Sequence, residues 1–243
     1  MSMKKYRLKK YTLKKYSLSA SLESREISRG WVYFLLEMTV IPSVLWYFVD
    51  FLGVKNPSLW VNFLYFLLNF LVCGWIFYRF LRENLTLAGK NLGRFWGLSL
   101  AGTVLAIGGN WVLGWVFQAS VPGFTNPNDS AVQAMVVGNP LVMALGVGAL
   151  VPLAEECFFR GLLFQALHAK NRYLAYGVSV VSFCAVHILS HLADAQPFVL
   201  FLCFLQYVPA ALALCWAYER SDSIFCPIVI HAAVNAVGIL SWR

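Results

Sequence analysis

Two adjacent glutamates and an arginine stand inside a long apolar stretch, Pro152-Leu153-Ala154-Glu155-Glu156-Cys157-Phe158-Phe159-Arg160-Gly161. A charge at the centre of a bilayer costs at least about 2.5–3.5 kcal/mol, so ionisable groups at such depth point to function. At about 100° per residue, Glu156 and Arg160 (i, i+4) share a helix face, and Glu155 points to another. The spacing predicts a Glu156–Arg160 ion pair that makes burial tolerable and leaves Glu155 facing a cavity. A single structural salt-bridge cluster of all three residues is the competing reading. Later apolar stretches add His187, one turn after Phe183, and His231 with Asn235, again at i, i+4 and so on one side of a helix. Taken alone, each histidine is a satisfied core group and Asn235 an interhelical hydrogen bond.

Two kinds of chemistry use these residue types, and both hydrolyse an amide. In one, Glu155 is a general base that takes a proton from water, with His187 helping to orient it, while His231 and Asn235 donate to the oxyanion of a tetrahedral intermediate. In the other, Glu155, His187 and His231 hold Zn²⁺, and the metal activates the water. No HExxH helix occurs, which weakens the metal reading. Serine and aspartyl intramembrane chemistry is disfavoured, because no GxSxG, Ser/His pair or intramembrane Asp pair is present.

The elements that must position these residues are membrane spans. The chain has 243 residues, of which 60% are hydrophobic and 12% charged, a composition outside the soluble range. Apolar runs of the roughly 20 residues that cross a bilayer predict an all-α polytopic transmembrane bundle, one domain over 31–243 with its catalytic core in about 140–241. About seven spans are expected, at 31–52, 59–80, 96–117, 140–167, 173–192, 197–218 and 223–241, with six to eight allowed. Glu37 and Asp50 in the first span are read as snorkelling or paired structural groups, and Pro42 and Pro209 as kinks. Pro152 is expected to restart a helix in the middle of span four. Gly93-xxx-Gly97 is read as a close helix contact, residues 79–95 as a polar connection, and 119–139 as a long loop that caps a cavity mouth. Glu155, His187, His231 and Asn235 are each placed near the middle of a span, at one depth. The six cysteines lie in or beside apolar segments without CxxC spacing and read as small core hydrophobes.

Charge sets the orientation. The net charge is +8, and residues 1–30 hold nine of the 19 Lys/Arg with only Glu23 and Glu26 as acids. This basic segment, with its KKYRL-KKYTL-KKYSL repeat, suits the anionic inner leaflet or acts as a tail that enforces topology. With the basic 79–95 and 168–172 connections, it places the N-terminus in the cytoplasm and, with seven spans, the C-terminus outside. No folded nucleic-acid-binding module is present, and a cleavable signal peptide is not expected.

Glu155-Glu156-xxx-Arg160, Phe183-xxx-His187 and His231-xxx-Asn235, in this order on late spans, resemble the CPBP family of CAAX-type and bacteriocin-processing intramembrane proteases, also called the Abi family. The likeness covers about residues 140–241. It implies a helical-bundle, glutamate-dependent endopeptidase with Glu155 as base, His187 as its partner, and His231 with Asn235 as oxyanion hole. It implies either a metal-independent site or a zinc site. The expected substrate is a membrane-associated peptide or protein precursor, CAAX-like or a bacteriocin or signalling peptide, in the cell membrane of a bacterium. The alternative is a non-catalytic membrane immunity or regulatory protein of the same family. A proton-coupled transporter is a third reading, weakened by the absence of an internal repeat. Oligomeric state is not legible in the sequence.

Overall fold

The computed structural model describes residues 18–241. All but the last residue of the basic 4–18 repeat lies outside them. Among the described residues ten helices follow one another: α1 (Ser24–Thr39), α2 (Ile41–Phe51), α3 (Pro57–Ile76), α4 (Tyr78–Lys90), α5 (Leu92–Ser120), α6 (Pro127–Gly138), α7 (Pro140–His168), α8 (Arg172–Leu189), α9 (Pro197–Ser221) and α10 (Phe225–Ser241). No strand occurs among the described residues, so the all-α expectation holds.

Local chemistry explains where the helices begin. Proline stands in the first turn of α2, α3, α6, α7 and α9, where its missing N–H costs nothing. Asparagine side chains cap α5, α6 and α8: Asn91 accepts from the Arg94 amide, Asn126 from Asn128 and Asn171 from Leu174. Five helices are long and apolar enough to cross a membrane: α3, α5, α7, α8 and α9. The pair α1–α2 makes a sixth crossing if counted as one, bent by 52° where Val40 and Pro42 interrupt the ladder. The seventh expected span, α10, is a shorter apolar helix of 17 residues. Large apolar side chains such as Phe51, Trp111, Trp115 and Leu141 face outward, the surface of a membrane protein rather than a soluble one.

Several sequence expectations change. Span four is not broken: Pro140–His168 runs as one helix that absorbs Pro152 through two wider, π-helical stretches, Gly146–Leu150 and Cys157–Phe164. The 79–95 connection is mostly helix α4, which buries Phe80, Leu81, Asn84 and Ala88 and turns Arg82 and Glu83 outward. The expected 119–139 loop contains helix α6. Close packing falls not at Gly93 and Gly97 but further along α5. A Cβ at Gly109 would lie 2.5 Å from Pro209 Cβ, and one at Gly102 would lie 2.3 Å from Ile230 Cδ1, so both glycines let α5 touch α9 and α10.

One end of the bundle gathers the N-terminal segment, α4 and the turn between α9 and α10. Ser19 donates from its backbone to Asp222 (2.7 Å), and Arg79 to the Ser21 carbonyl (2.7 Å) and Glu26 (2.6 Å). The Ile224 amide donates to Asn84 Oδ1 at 2.8 Å. Glu219 accepts from Arg172 Nε and Nη2 at 2.6 and 2.8 Å and from the Tyr176 hydroxyl at 2.9 Å. All six cysteines are buried and free.

Candidate active site

The site is built on the irregular middle of α7. Through Gly146–Leu150 the ladder slips by one residue, and the Val151 amide donates to the Gly146 carbonyl. In that register the carbonyl of Val147 would pair with the amide of residue 152, but Pro152 has no N–H. The orphaned carbonyl is taken by Asn235 Nδ2 of α10, at 2.8 Å. The proline that widens the helix therefore also anchors α10 to it, one turn from Glu155. Such π-helical turns recur at functional sites.

Beyond Pro152, Glu156 and Arg160 are completely buried. Arg160 Nη1 donates to Glu156 Oε1 (3.0 Å) and Nη2 to the Ala211 carbonyl of α9 (3.2 Å), and the guanidinium stacks over Phe183 at 4.7 Å. The predicted i, i+4 pair is present. Glu156 Oε1 also lies 2.9 Å from Nδ1 of His231, so one carboxylate oxygen serves an arginine and a histidine.

Those partners orient both imidazoles. His187 Nδ1 lies 2.8 Å from the Phe183 carbonyl, which only accepts, so Nδ1 carries the proton. His231 likewise donates Nδ1–H to Glu156. Each Nε2 then turns toward one atom, Glu155 Oε2, at 4.0 Å from His187 and 3.8 Å from His231. These gaps are too long for direct hydrogen bonds and have the spacing of groups bridged by a water or by a substrate atom. Glu155 Oε2 itself is buried with no hydrogen-bond partner among the described residues. The structure thus brings Glu155, His187 and His231 together, with Glu156 and Arg160 behind them. Asn235 stands one turn from His231, with one N–H committed to Val147 and a second left.

Two expectations about depth need correction. His187 is not mid-span: α8 ends at Leu189, so it is the third-last residue, and His191 lies beyond the helix. Glu37 neither snorkels nor pairs as expected. It is 6% exposed, and its Oε2 has no hydrogen-bond partner among the described residues. Instead it lines a cavity of about 60 Å³ together with Glu155, Tyr65, Asn69 and the rings of Phe158 and Phe159. Asp50 is exposed.

Sequence reasoning also missed Tyr207 and Asp129. The Tyr207 ring packs on His187 with centroids 4.5 Å apart, and its hydroxyl donates to Asp129 Oδ1 of α6 at 2.9 Å. Asn126 and Asn128 donate to the same hydroxyl, both at 3.0 Å. Helix α6 therefore steadies the far side of His187. Burial raises the Asp129 carboxyl above its ordinary value, and the hydrogen bond from Tyr207 offsets part of that rise. Only an Asn-Pro-Asn-Asp helix start at 126–129 marks the segment in sequence.

Two imidazole Nε2 atoms and a carboxylate are a donor set of the right type for zinc, which requires all donors within about 2.0–2.2 Å of one point. No group of three His, Cys, Asp or Glu side chains among the described residues has the spacing of a metal site. The residues as placed do not fit the ion.

Fold and site define a polytopic all-α membrane protein with a carboxylate–histidine centre inside its bundle. Residues 137–237, which hold Glu155, His187, His231 and Asn235, match the family of type II CAAX prenyl endopeptidase Rce1-like proteins. Over that segment the chain is similar to a family of proteases. The chain is also 28% identical over 92 residues to the UPF0177 protein YxdF of Lactococcus lactis subsp. lactis, a stretch covering 38% of this chain and 45% of that protein. This chain thus spans less than half the length of that relative. No solved structure matches it.

Proposed function

We propose that the protein is a glutamate-dependent intramembrane endopeptidase that hydrolyses a peptide bond in a membrane-associated protein or peptide precursor. The observation that carries this reading is the buried, unpartnered Oε2 of Glu155, faced by the Nε2 atoms of His187 and His231. Glu155 takes a proton from a water held between it and His187, and the hydroxide oxygen bonds to the scissile carbonyl carbon. His231 donates to the resulting oxyanion from Nε2 when its ring carries both protons. The Glu156 carboxylate at Nδ1 stabilises that imidazolium, and the second N–H of Asn235 adds a donor. As the carbon–nitrogen bond breaks, the leaving amine takes the proton held by Glu155. Arg160 holds Glu156 in place.

The family match supports a CAAX-like C-terminal segment as substrate, and a bacteriocin or signalling-peptide precursor is the other substrate class within this proposal. We place the protein in a bacterial cell membrane with a cytoplasmic N-terminus, its basic segment against the anionic inner leaflet. A second reading, a non-catalytic immunity or regulatory protein, is favoured by one observation: part of the Asn235 amide is spent on Val147 rather than left for an oxyanion.

The test is cleavage of candidate membrane peptides by purified wild type and Glu155→Gln, each with and without a strong chelator. Loss in the variant with activity kept under chelator is the expected result. Loss under chelator, restored by added Zn²⁺, would move the assignment to a metalloprotease. Equal cleavage by wild type and a folded Glu155→Gln protein would end the proposal.

A further inference from the structure

The family-matched segment starts at residue 137, yet the cavity beside Glu155 is closed by helices that precede it. Phe34, Glu37 and Met38 of α1 and Tyr65, Phe66 and Asn69 of α3 form one wall. The 52° bend between α1 and α2 lies directly after Glu37. A buried carboxyl without a cation beside it is costly in a bilayer. The nearest cation on α7, Arg160, is committed to Glu156, and both histidines face Glu155. The wall of α1 and α3 contributes no basic residue to the cavity.

Size and chemistry of the cavity then restrict its occupant. A buried water needs roughly 15 Å³ of such space, so 60 Å³ admits about four heavy atoms, the outer part of one side chain rather than a peptide. The walls are mainly aromatic and aliphatic, with Glu37 and Glu155 as the two acids. Aromatic faces and carboxylates together hold cations.

Resting on the protease reading, we propose that this cavity is a side-chain subsite for a basic residue of the substrate, lysine or arginine, next to the scissile bond. Glu37 is its specificity determinant. The apolar stem lies against Phe34, Phe66 and Phe158, and the charged tip is held by the Glu37 carboxylate. Glu37 supplies recognition and takes no part in bond cleavage. The N-terminal half of the chain thereby chooses which peptide the C-terminal half cuts.

The test has a binding arm and a cleavage arm, both on the full-length protein in detergent. In the first, thermal unfolding is followed by tryptophan fluorescence with millimolar Nα-acetyl-lysine methylamide or its norleucine analogue. The lysine probe is expected to raise the melting temperature of wild type, the norleucine probe to leave it unchanged, and Glu37→Gln to abolish the shift. The comparison of the two probes on wild type stands even if the variant does not fold. In the second, membrane peptides carrying Lys, Arg, norleucine or Glu beside the cleaved bond are compared by kcat/KM. Wild type should prefer Lys or Arg over norleucine by at least about tenfold, and Glu37→Gln should lose that preference. Cleavage without basic preference, or equal response to both probes, overturns the subsite and leaves proteolysis intact. A Glu37-dependent lysine shift with no peptide cleaved supports the subsite and counts against proteolysis.

Discussion

Arg160→Met gives the most demanding test of how the site is held. Arg160 and Glu156 are wholly inaccessible, 3.0 Å apart, and Glu156 also carries His231 at 2.9 Å. Removing the arginine leaves a buried carboxylate with only an imidazole beside it and strips the Ala211 carbonyl of a charged donor. Breaking one side of a buried pair costs about 3–5 kcal/mol, whereas replacing both partners with neutral groups of similar volume is often close to neutral. Arg160→Met should therefore destabilise by about 4 kcal/mol and Glu156→Gln by about 3 kcal/mol, while the double variant should lose no more than about 4 kcal/mol, a coupling of about 3 kcal/mol. The assay is equilibrium unfolding in mixed micelles by titration with sodium dodecyl sulfate, read by tryptophan fluorescence and far-ultraviolet circular dichroism. Single effects that simply add, or an Arg160→Met cost below about 1 kcal/mol, would refute the argument, because orphaned charge would then not be what the pair prevents.

Three further outcomes are expected. Asn235→Leu leaves the Val147 carbonyl without a donor and should cost about 1–3 kcal/mol in the same unfolding assay. Adding Pro152→Ala, which restores an amide in reach of that carbonyl, should recover part of the loss. Gly109→Ala drives a Cβ to 2.5 Å from Pro209 and should destabilise by about 1–3 kcal/mol, whereas Gly108→Ala, with open space around it, should be nearly silent by thermal melting. The Asp129 carboxyl titrates above its ordinary value of about 3.9. Since the folded state binds that proton more tightly, its contribution is fully present below the ordinary value and is lost as pH rises through the raised one. Melting temperature against pH should show this slope in wild type and lose it in Asp129→Asn.

The parts of the site that were legible in sequence are those fixed by spacing within one helix. Glu156 with Arg160, and His231 with Asn235, need only i, i+4 neighbourhood, and the ion pair is present as read. Span-length apolar runs gave the class of fold for an equally local reason. What failed depends on contacts between distant segments or on departures from ideal helix. Glu37 looked like a terminal snorkelling group because a straight first span would carry it toward lipid headgroups. The break at Val40 and packing against α3 instead turn it to the cavity. Pro152 was read as a helix start, since proline more often breaks a ladder than widens one. The slipped register of α7 accommodates it and exposes the one carbonyl that Asn235 can use. Tyr207 and Asp129 carry no motif; the meeting of α6 with α9 is a tertiary fact.

The same division runs through the function. Residues 137–237 hold every group that the proposed chemistry uses, and that is the segment the family match covers. Chemistry alone does not choose a substrate, because a general base and an oxyanion hole treat most amides alike. Choice needs a surface that meets the side chains beside the bond, and in the proposed subsite one wall of that surface comes from α1 and α3, outside the matched segment. Those helices close the cavity through contacts of their own: Phe34 packs on Phe158, with centroids 5.1 Å apart, and Tyr33 donates to Asn69 at 2.6 Å. A chimera exchanging residues 24–76 with those of a protein from the matched family should therefore retain hydrolysis and change which peptide is cut. Measuring cleavage of both parents' peptides by the chimera tests this. Specificity that stays with the C-terminal parent would place selection within 137–237 and remove the role assigned to the N-terminal wall.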